Sequence, residues 1–443
     1  MKEGGRLRSP EIDIHDKEIA IVGGGPAGAL TAILLKKKGF RNVTIYESRS
    51  PERTRKITQC TGCAGIIQPE VVELLRNHGL TIPENENVIQ ARLIEESQIH
   101  LPGNRNLTVK QKKGTIAVYR GFAPVNQPGD KPKTKSFDAW LLEEAINLGV
   151  RHREVEVRQI DLRRDDQKKV AITIFNEKRE EEKIGADIVI GAYGHNGLKD
   201  HIVYPDRAVH LDKPTVSQSA VKEFLIGGEA VGKLLHNSMH FFGNPTGKIW
   251  FAMIVPKGDF VTVSIMGRGD VNENDMNEFL RSEAVKNLLG DLPEKSNCKC
   301  FPSFTTESPR NYMVLDEDGN ISQVNVGDAG PTRPMKNGIG AAMDSAAKLV
   351  ETIERYGIGS EAARRYKKYI DMTYVWDNLC ARIVLGMSDY VLGRPLLLDP
   401  VDYLLKNDVW VLTNLVNNII DYVISGKKPY WQIPIMVAKD LFK

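Results

Sequence analysis

The sequence predicts an α/β protein in which a Rossmann-like domain is interrupted by a mixed-sheet domain and followed by a helical region. Three observations predict this architecture. An apolar strand runs into a glycine-rich turn and a helix within residues 19–38. A second strand with a glycine-rich turn and a helix follows about 300 residues later, within 324–352. Between them, residues 208–305 contain alternating apolar and polar positions with the period of β-strands.

The first glycine-rich turn has the spacing of a dinucleotide fingerprint. A strand over 19–22 precedes the turn, and a second strand over 43–46 ends in an acid. Glycines at these positions let the backbone approach a pyrophosphate at a helix N-terminus, and the acid binds ribose hydroxyls. The residues expected to contact the adenosine diphosphate half of a dinucleotide are Gly23, Gly25, Pro26, Ala27, Gly28 and Glu47.

The second glycine-rich turn supplies the other half of the same site. The strand over 324–326 ends in Gly327 and Asp328, and the Asp328 carboxylate can accept hydrogen bonds from a ribityl chain. Backbone amides at the start of the next helix favour negative charge, which a reduced flavin carries near N1 and O2. Those amides belong to Gly338, Ile339 and Gly340. The two turns together predict one FAD site, although a capping Asp in an ordinary turn remains the alternative for the second.

Length and charge exclude some classes of protein. The 443 residues are enough for two or three domains with substantial cores. The formal net charge is +3 and basic residues are dispersed among acids, so we expect no nucleic-acid partner. Residues 1–10 are basic but lack an apolar core, so they do not predict a secretion signal. We therefore expect a cytoplasmic protein.

The order of the predicted elements places the second domain inside the first. The FAD-binding domain is predicted over 1–207 and 306–352, the substrate domain over 208–305, and a C-terminal helical region over 353–443. The other elements, in chain order, are a helix over 69–80, strands within 88–119, a Gly-, Pro- and Lys-rich loop over 121–136, a helix over 137–149, strands within 155–175, a buried strand over 186–191 that returns to the first domain, and strands over 249–255 and 260–266.

The C-terminal region combines apolar residues at helical spacing with an aromatic tail. Lys427 and Lys428 precede Tyr430 and Trp431 in this tail. Lysines beside aromatics and an apolar face are typical both of a membrane-surface segment and of a helix packed on its own domain. Both interpretations stay open. The apolar positions are Val401, Leu404, Leu405, Val409, Leu412, Leu415, Ile419, Ile420 and Val423.

Taken together, these motifs resemble the glutathione-reductase-like flavoproteins of the aromatic-hydroxylase type, which implies a glutathione-reductase-type FAD-binding domain. Within that group the chain looks most like the geranylgeranyl reductases, and the resemblance spans roughly residues 18–352. The features shared with the reductases are Cys63-Ala64-Gly65 followed by Pro69, a strand over 114–119 that ends in Arg120, the segment 247–258, and Gly330 after Asp328-Ala329. The resemblance implies that Arg120 lies near the pyrophosphate or the ribityl chain.

Two departures from these families bear on the reaction and its electron donor. The hydroxylases carry Asp-Gly directly after the Ile-Gly-Ala strand, where this sequence has Tyr193-Gly194. They also carry a His after Gly-Asp-Ala, where this sequence has Gly330. The hydroxylase interpretation is weaker for that reason, and the electron donor stays open between NAD(P)H, a ferredoxin and a quinol. A long basic loop also separates Arg120 from Phe137 and Asp138, which lie close together in the reductases. The loop is interpreted as a lid, a donor-docking patch or simply a solvated loop.

The resemblance to the reductases implies that an isolated C=C bond is saturated in a dry, closely fitted pocket, because such bonds accept hydride poorly. Tyr193 and His195 lie in a turn from which a proton donor could reach the cofactor, and Cys63 lies in the pocket motif of the family. The alternative for His195 is an exposed histidine in a turn. The alternative for the apolar pocket residues is the ordinary core of their sheet. The residues expected to line the pocket are Trp250, Phe251 and Met253.

Four of the five cysteines form two close pairs, while Cys380 stands alone. A cytoplasmic location argues against structural disulfides. A zinc or iron–sulfur site would require the two pairs to lie side by side in the fold. Cys-x-Cys is an unusual spacing for two ligands of such a site, so we expect no metal. Redox partners near the flavin and plain reduced thiols are the remaining interpretations. The paired residues are Cys60, Cys63, Cys298 and Cys300.

The sequence therefore predicts an FAD-dependent oxidoreductase that reduces C=C bonds of a polyprenyl, geranylgeranyl-type or related lipid substrate. It is expected in the cytoplasm, with peripheral attachment to a membrane surface as an alternative. Two other classes stay open: an FAD-dependent monooxygenase or halogenase, and a non-redox cyclase that uses the flavin without net electron transfer.

Overall fold

A computed structural model describes most of the chain. The described residues are 13–49, 64–83, 93–102, 105–110, 114–121, 135–167, 169–176, 178–195, 198–293, 296, 298–333, 338–392, 429–432 and 435.

Helices and strands alternate along the chain. The strands within these residues are β1 (Glu18–Val22), β2 (Asn42–Tyr46), β3 (Ile66–Ile67), β4 (Glu96–Leu101), β5 (Arg105–Lys110), β6 (Ile116–Ala117), β7 (Arg151–Arg153), β8 (Glu156–Asp161), β9 (Val170–Phe175), β10 (Glu181–Ala186), β11 (Ile188–Gly191), β12 (Ile202–Val203), β13 (Thr215–Leu225), β14 (Ser238–Gly243), β15 (Ile249–Lys257), β16 (Phe260–Gly267), β17 (Cys298–Cys300), β18 (Ser303–Glu307), β19 (Met313–Leu315) and β20 (Ile321–Asn325). The helices there are α1 (Pro26–Lys37), α2 (Pro69–Asn77), α3 (Phe137–Asn147), α4 (Gly228–Leu235), α5 (Glu273–Arg281), α6 (Glu283–Leu289), α7 (Gly338–Tyr356), α8 (Ser360–Ile370) and α9 (Trp376–Leu392).

The first sheet is the Rossmann-like sheet that the sequence predicts. Within the described residues its order is β19-β20-β11-β1-β2-β7, with β19 antiparallel and the rest parallel. The strand over 188–191 therefore lies directly beside β1, as expected for a chain that returns to its first domain. Because β20 pairs with β11, the second glycine-rich turn lies at the same sheet edge as the first.

Helices cover one face of this sheet and a small sheet covers the other. Helices α1, α2, α3 and α7 bury apolar side chains against one face. Strands β8, β9 and β10 pack their own apolar side chains on the opposite face. Local signals set the ends of these helices: Pro26 begins α1, and the Ser136 hydroxyl accepts a hydrogen bond from the Ala139 amide at the start of α3. The confirmed fold class is thus mixed α/β with a Rossmann-like domain.

The second large sheet draws strands from a wider part of the chain than 208–305. In the described part of the protein its order is β17-β13-β16-β15-β14-β4-β5, and β18 also pairs with β13. Strands β4 and β5 precede the predicted domain by about 100 residues. They join it through a parallel pairing between β4 and β14, in which Glu96 lies opposite Ser238. Periodicity within a strand does not reveal such a distant partner.

The two faces of the second sheet pack against different elements. Helices α4, α5 and α6 cover one face, where Phe242, Ile254 and Val263 are buried. The other face packs toward the short antiparallel β3–β6 pair of the first domain, through Phe241, Met253 and Val255. This second face is the inner face of the sheet, because it lies between the two domains.

The C-terminal region begins as one nearly continuous helix. A π-helical turn over Asp371–Val375 joins α8 to α9. The predicted apolar helix positions from Val401 to Val423 lie outside the described residues, as do Lys427 and Lys428. Tyr430 in the tail is buried, whereas Trp431 is exposed. Among the helices that the structure describes, none has the length and hydropathy needed to span a bilayer.

Candidate functional site

The three glycines of the first turn lie in three different environments. Gly23 has φ +108°, and a Cβ there would lie 2.4 Å from the carbonyl oxygen of Ala192 in the neighbouring strand's extension. A Cβ on Gly28 would lie 1.9 Å from the Gly23 carbonyl oxygen, so the helix packs directly on the strand. Within the described part of the chain, no atom lies within 4 Å of the Cβ position of Gly25. The middle glycine thus faces open space, where a pyrophosphate needs the backbone.

The N-terminus of α1 has the features of an anion-binding site. Gly25 is the residue before the helix and has no side chain that could cap the first amides. The first turn contains no acidic residue. Free amides and the positive end of the helix dipole favour a phosphate at this position.

Glu47 lies at the end of β2, beside the turn. Its carboxylate is buried and accepts hydrogen bonds from the Gly24 amide at 2.7 Å and the Arg49 amide at 2.9 Å. Burial acts to raise its pKa, but the Arg49 charge and these hydrogen bonds outweigh burial and hold the pKa below the usual value. The carboxylate is therefore ionised at neutral pH, which is the state that accepts hydrogen bonds from ribose hydroxyls.

The second turn packs against both α1 and α7. Gly327 has φ +61°, and a Cβ there would lie 3.0 Å from Ala27 Cβ and 3.3 Å from Ala342 Cβ. Its amide donates to the Ser345 hydroxyl at 3.1 Å. The close approach joins the two glycine-rich turns into one site, as the sequence predicts.

Asp328 lies where charges from three parts of the chain converge. Its carboxylate oxygen is 3.9 Å from the Cβ position of Gly338 at the start of α7. Burial raises the pKa of Asp328, while the nearby His195, Arg120 and Thr332 act in the opposite direction. The predicted site residues Asp328, His195 and Arg120 are thus brought together by the fold.

Arg120 keeps its contact with the Phe-Asp pair despite the long loop between them. Its guanidinium donates to both oxygens of Asp138, at 2.7 and 3.0 Å; Asp138 is buried and Arg120 is half-buried. The Phe137 amide donates to the Tyr119 carbonyl at 2.8 Å. The basic loop therefore leaves and rejoins the domain at one point, although residues 122–134 lie outside the described part of the chain.

Tyr193 is held inside the turn after β11. Its hydroxyl donates to the Asn325 side chain at 3.1 Å and accepts from Gln323 at 3.2 Å. Burial raises the pKa of Tyr193 far above its ordinary value. These contacts favour a structural role for Tyr193 over the proton-donor role that we expected from its position.

The three residues predicted to line a substrate pocket lie on β15. Phe251 and Met253 belong to the inner face, and the ring centroid of Phe251 lies 5.5 Å from that of Phe241. Trp250 lies at an irregularity in the β15–β16 pairing, with its ring centroid 6.3 Å from that of Phe251. An aromatic, apolar wall thus faces the first domain.

A buried link between the two domains was missed by sequence reasoning. The Tyr119 hydroxyl donates to the Lys257 carbonyl at 2.6 Å, and the Lys257 ammonium lies 3.4 Å from the Glu223 carboxylate. Lys257 is only 3% exposed. Since Tyr119 immediately precedes Arg120, this link ties the second sheet to the cofactor side of the site. Its sequence signal was the position of Tyr119 beside a predicted site arginine.

The cysteines give no metal site in the described part of the chain. Cys60 and Cys63 lie outside the described residues, and β17 carries Cys298 and Cys300 at the outer edge of the second sheet. The Cys300 thiol donates to the Val221 carbonyl at 3.9 Å, and Cys380 is a free thiol. Within the described residues, no three His, Cys, Asp or Glu side chains converge as metal ligands would.

The residues of the two turns fit an FAD. The open Gly25 position suits a pyrophosphate, ionised Glu47 suits a ribose, and Asp328 beside Gly338 suits a ribityl chain that leads to a helix N-terminus. The fold and this site define an FAD-binding enzyme of the oxidoreductase class. A family model described as FAD binding domain matches residues 16–288, so the chain belongs to that family and FAD is its cofactor.

Solved structures with similar folds perform different reactions. A geranylgeranyl bacteriochlorophyll reductase-like protein from Thermoplasma acidophilum is 17% identical, with a TM-score of 0.57 over 85% of this chain and 89% of that one. A flavin-dependent brominase is 14% identical, with a TM-score of 0.63 over 96% and 98%. A p-nitrophenol 4-monooxygenase from Pseudomonas putida is 17% identical, with a TM-score of 0.54 over 87% and 98%. At these identities the likeness establishes the fold alone.

Proposed function

We propose that the protein uses FAD to reduce C=C bonds of a polyprenyl, geranylgeranyl-type or related hydrophobic lipid. The observation that carries the proposal is the apolar inner face of the second sheet. Met239, Phe241, Met253 and Val255 form a buried apolar cluster on that face, and the half-buried Phe251 packs against it. An aromatic and aliphatic wall suits an isoprenoid chain, which offers no polar group along its length.

The wall supports the chemistry by excluding water. An isolated alkene accepts a hydride poorly, so the reaction needs a closely fitted site from which water is absent. Phe251 and Trp250 are half-buried, which leaves part of each ring for contact with a ligand. The buried Tyr119–Lys257 hydrogen bond holds β15 against the strand that leads to Arg120. This bond fixes the distance between the apolar wall and the cofactor side of the site.

The chain's own residues bind and orient the cofactor in this proposal. The α1 amides and Gly25 hold the pyrophosphate, Glu47 holds the adenosine ribose, and Asp328 holds the ribityl chain. When bound, FAD supplies the hydride. The α7 amides from Gly338 to Gly340 favour the negative charge of its reduced state. His195, whose side chain lies near Asp328, is the proposed proton donor to the second carbon.

The test uses electrons supplied chemically, so it does not depend on whether NAD(P)H, a ferredoxin or a quinol is the natural donor. The holoprotein is reduced without oxygen and mixed with a geranylgeranyl lipid, while the absorbance of oxidised flavin and the lipid mass are followed. We expect flavin absorbance to return with a lipid heavier by two hydrogens per bond reduced. The matched control is the fully saturated phytanyl lipid, which accepts no hydride.

Two results would overturn the proposal. No reoxidation by the unsaturated lipid, followed by fast reaction once oxygen is admitted, would favour a monooxygenase or halogenase. Conversion of the lipid to an isomer of unchanged mass, with the flavin still reduced, would favour a non-redox cyclase.

A further inference from the structure

The helical run from α8 to α9 has one buried side and one exposed apolar side. Tyr366, Ile370 and Tyr374 are buried against the first domain, as is Ala381. The opposite side carries large apolar residues at intervals of four, three and four positions. These residues and their exposed fractions are Met372 61%, Trp376 55%, Leu379 49% and Ile383 61%.

The C-terminal tail extends this apolar side. The Trp431 amide donates to the Asp377 carboxylate at 3.4 Å, and the neighbouring Tyr430 is buried. The tail is therefore held beside the first turn of α9. Its next large apolar side chains point outward, with Trp431 41% and Ile435 48% exposed. Two tryptophans thus lie near the same helical turn.

Basic residues flank the apolar side. The exposed residues of α8 include Arg364, Arg365, Lys367 and Lys368. Glu361 pairs with both arginines, and Asp371 pairs with Lys367. Over the described residues 360–375, these four cations face only two carboxylates, so this end of the surface is positive.

We propose that this α8–α9 surface, formed by Arg364, Arg365, Lys368, Met372, Trp376, Leu379, Ile383, Trp431 and Ile435, docks on an anionic lipid bilayer. Contiguous exposed apolar residues mark interaction sites in soluble proteins. Tryptophan prefers the interface between lipid and water, and each basic residue near an anionic membrane strengthens attachment. A second copy of the chain fits less well, because a symmetric contact would bring the same cations together.

Docking through this surface does not depend on the reaction proposed above. It would place the protein where hydrophobic compounds are dissolved, whichever of them is the substrate. Protein binding to lipid vesicles therefore tests the surface without substrate and without turnover.

The experiment measures flotation of the FAD-bound protein with vesicles of phosphatidylcholine alone and with vesicles that also contain phosphatidylglycerol. We expect binding to the anionic vesicles. Leu379→Glu with Ile383→Glu should lower the partition coefficient more than about tenfold, because two apolar anchors are lost and two repulsive charges are gained. Arg364→Gln with Lys368→Gln should lower it roughly tenfold on anionic vesicles and hardly at all on neutral ones.

The matched control is Ile146→Glu with Val209→Glu, which introduces the same charges at residues that are 41% and 56% exposed elsewhere. This control should bind vesicles like the unchanged protein. FAD absorbance and thermal unfolding confirm that every variant is folded. Failure of the unchanged protein to bind anionic vesicles would overturn the proposal, as would equal loss of binding in the control. A dimer in sedimentation that Leu379→Glu with Ile383→Glu dissociates would instead assign the surface to self-association.

Discussion

At the residue scale, we predict that Gly25 serves cofactor binding, whereas Gly28 serves the packing of α1. An alanine at Gly25 meets no atom of the described residues, and the extended backbone there suits any residue. An alanine at Gly28 meets the Gly23 carbonyl. We expect Gly25→Ala to leave the stability of the apoprotein within about 0.5 kcal/mol and to weaken FAD binding more than about tenfold. Gly28→Ala should destabilise the apoprotein by about 2 kcal/mol or more.

Urea unfolding of the apoproteins and FAD titration by flavin fluorescence measure the two effects separately. Each variant serves as the control for the other. Tight FAD binding by Gly25→Ala would show that the open space beside the turn does not receive the pyrophosphate.

We predict that the Asp328 carboxylate lowers the stability of the apoprotein and strengthens FAD binding. Its pKa is higher in the folded chain than the value of about 3.9 in an unfolded chain. The folded state therefore binds more protons, and the stability contributed by this group falls as pH rises through the folded-state pKa. Asp328→Asn should make the apoprotein more stable at neutral pH, with the gain disappearing below about pH 4. Loss of a charged acceptor should weaken FAD binding roughly 10- to 100-fold.

Unfolding of the apoprotein in urea at several pH values measures the first effect. Asp206→Asn is a suitable control, because Asp206 is exposed. A gain in stability that does not change with pH would contradict the assigned titration of Asp328.

The sequence indicated which residues come together in the site, but not what each side chain contacts. Asp328, Arg120 and His195 were each selected from a motif or a turn, and the fold brings them together. Tyr193 was selected in the same way, but its hydroxyl is engaged by Asn325 and Gln323. A turn position in a sequence does not reveal whether a hydroxyl points to a ligand or to a neighbouring strand.

At the element scale, β15 divides its side chains between a core and a proposed substrate wall. Phe251 lies on the inner face, whereas Ile254 is fully buried under the helices. Under the proposed reductase function, Phe251→Ala should raise the KM for the lipid roughly 30-fold, because ring burial contributes about 2 kcal/mol. FAD occupancy should be unchanged. Steady-state kinetics with the reduced protein measure this effect.

Ile254→Ala is the matched control on the same strand. It should lower the free energy of unfolding by about 2 to 5 kcal/mol through a cavity, while the KM for the lipid stays the same at temperatures where the variant is folded. If both variants changed the KM equally, β15 would not separate a core from a binding wall.

Strong local patterns predicted most elements near the site. The predicted strands over 249–255 and 260–266 correspond to β15 and β16, and the predicted helix over 69–80 corresponds to α2 with a shorter end. The membership of β4 and β5 in the second sheet was not predicted. Their alternation is clear in the sequence, but β4 joins the sheet through β14, which follows it by more than 100 residues. Pairing between such distant strands depends on the packing of the whole domain.

At the scale of the whole molecule, one binding site is built from the two ends of a long domain. Strand β20 pairs with β11, which pairs with β1, so both glycine-rich turns lie at one edge of the sheet. Gly327 then contacts Ala27 on α1 and Ala342 on α7. The second sheet is formed by segments inserted between the strands of this frame. The two turns lie together because adjacent parallel strands have their carboxyl ends at the same edge of the sheet.

The amino-acid sequence by itself determined the fold class and the cofactor, and it predicted the residues that bind the cofactor, because glycine spacing and a strand-ending acid are local requirements of a dinucleotide site. Only the tertiary structure decided the partners of β4 and β5, the engagement of Tyr193, the Tyr119–Lys257 link and the exposed side of α9. Those features depend on which distant surfaces meet, and burial, pairing and exposure arise from the assembled chain rather than from any one segment.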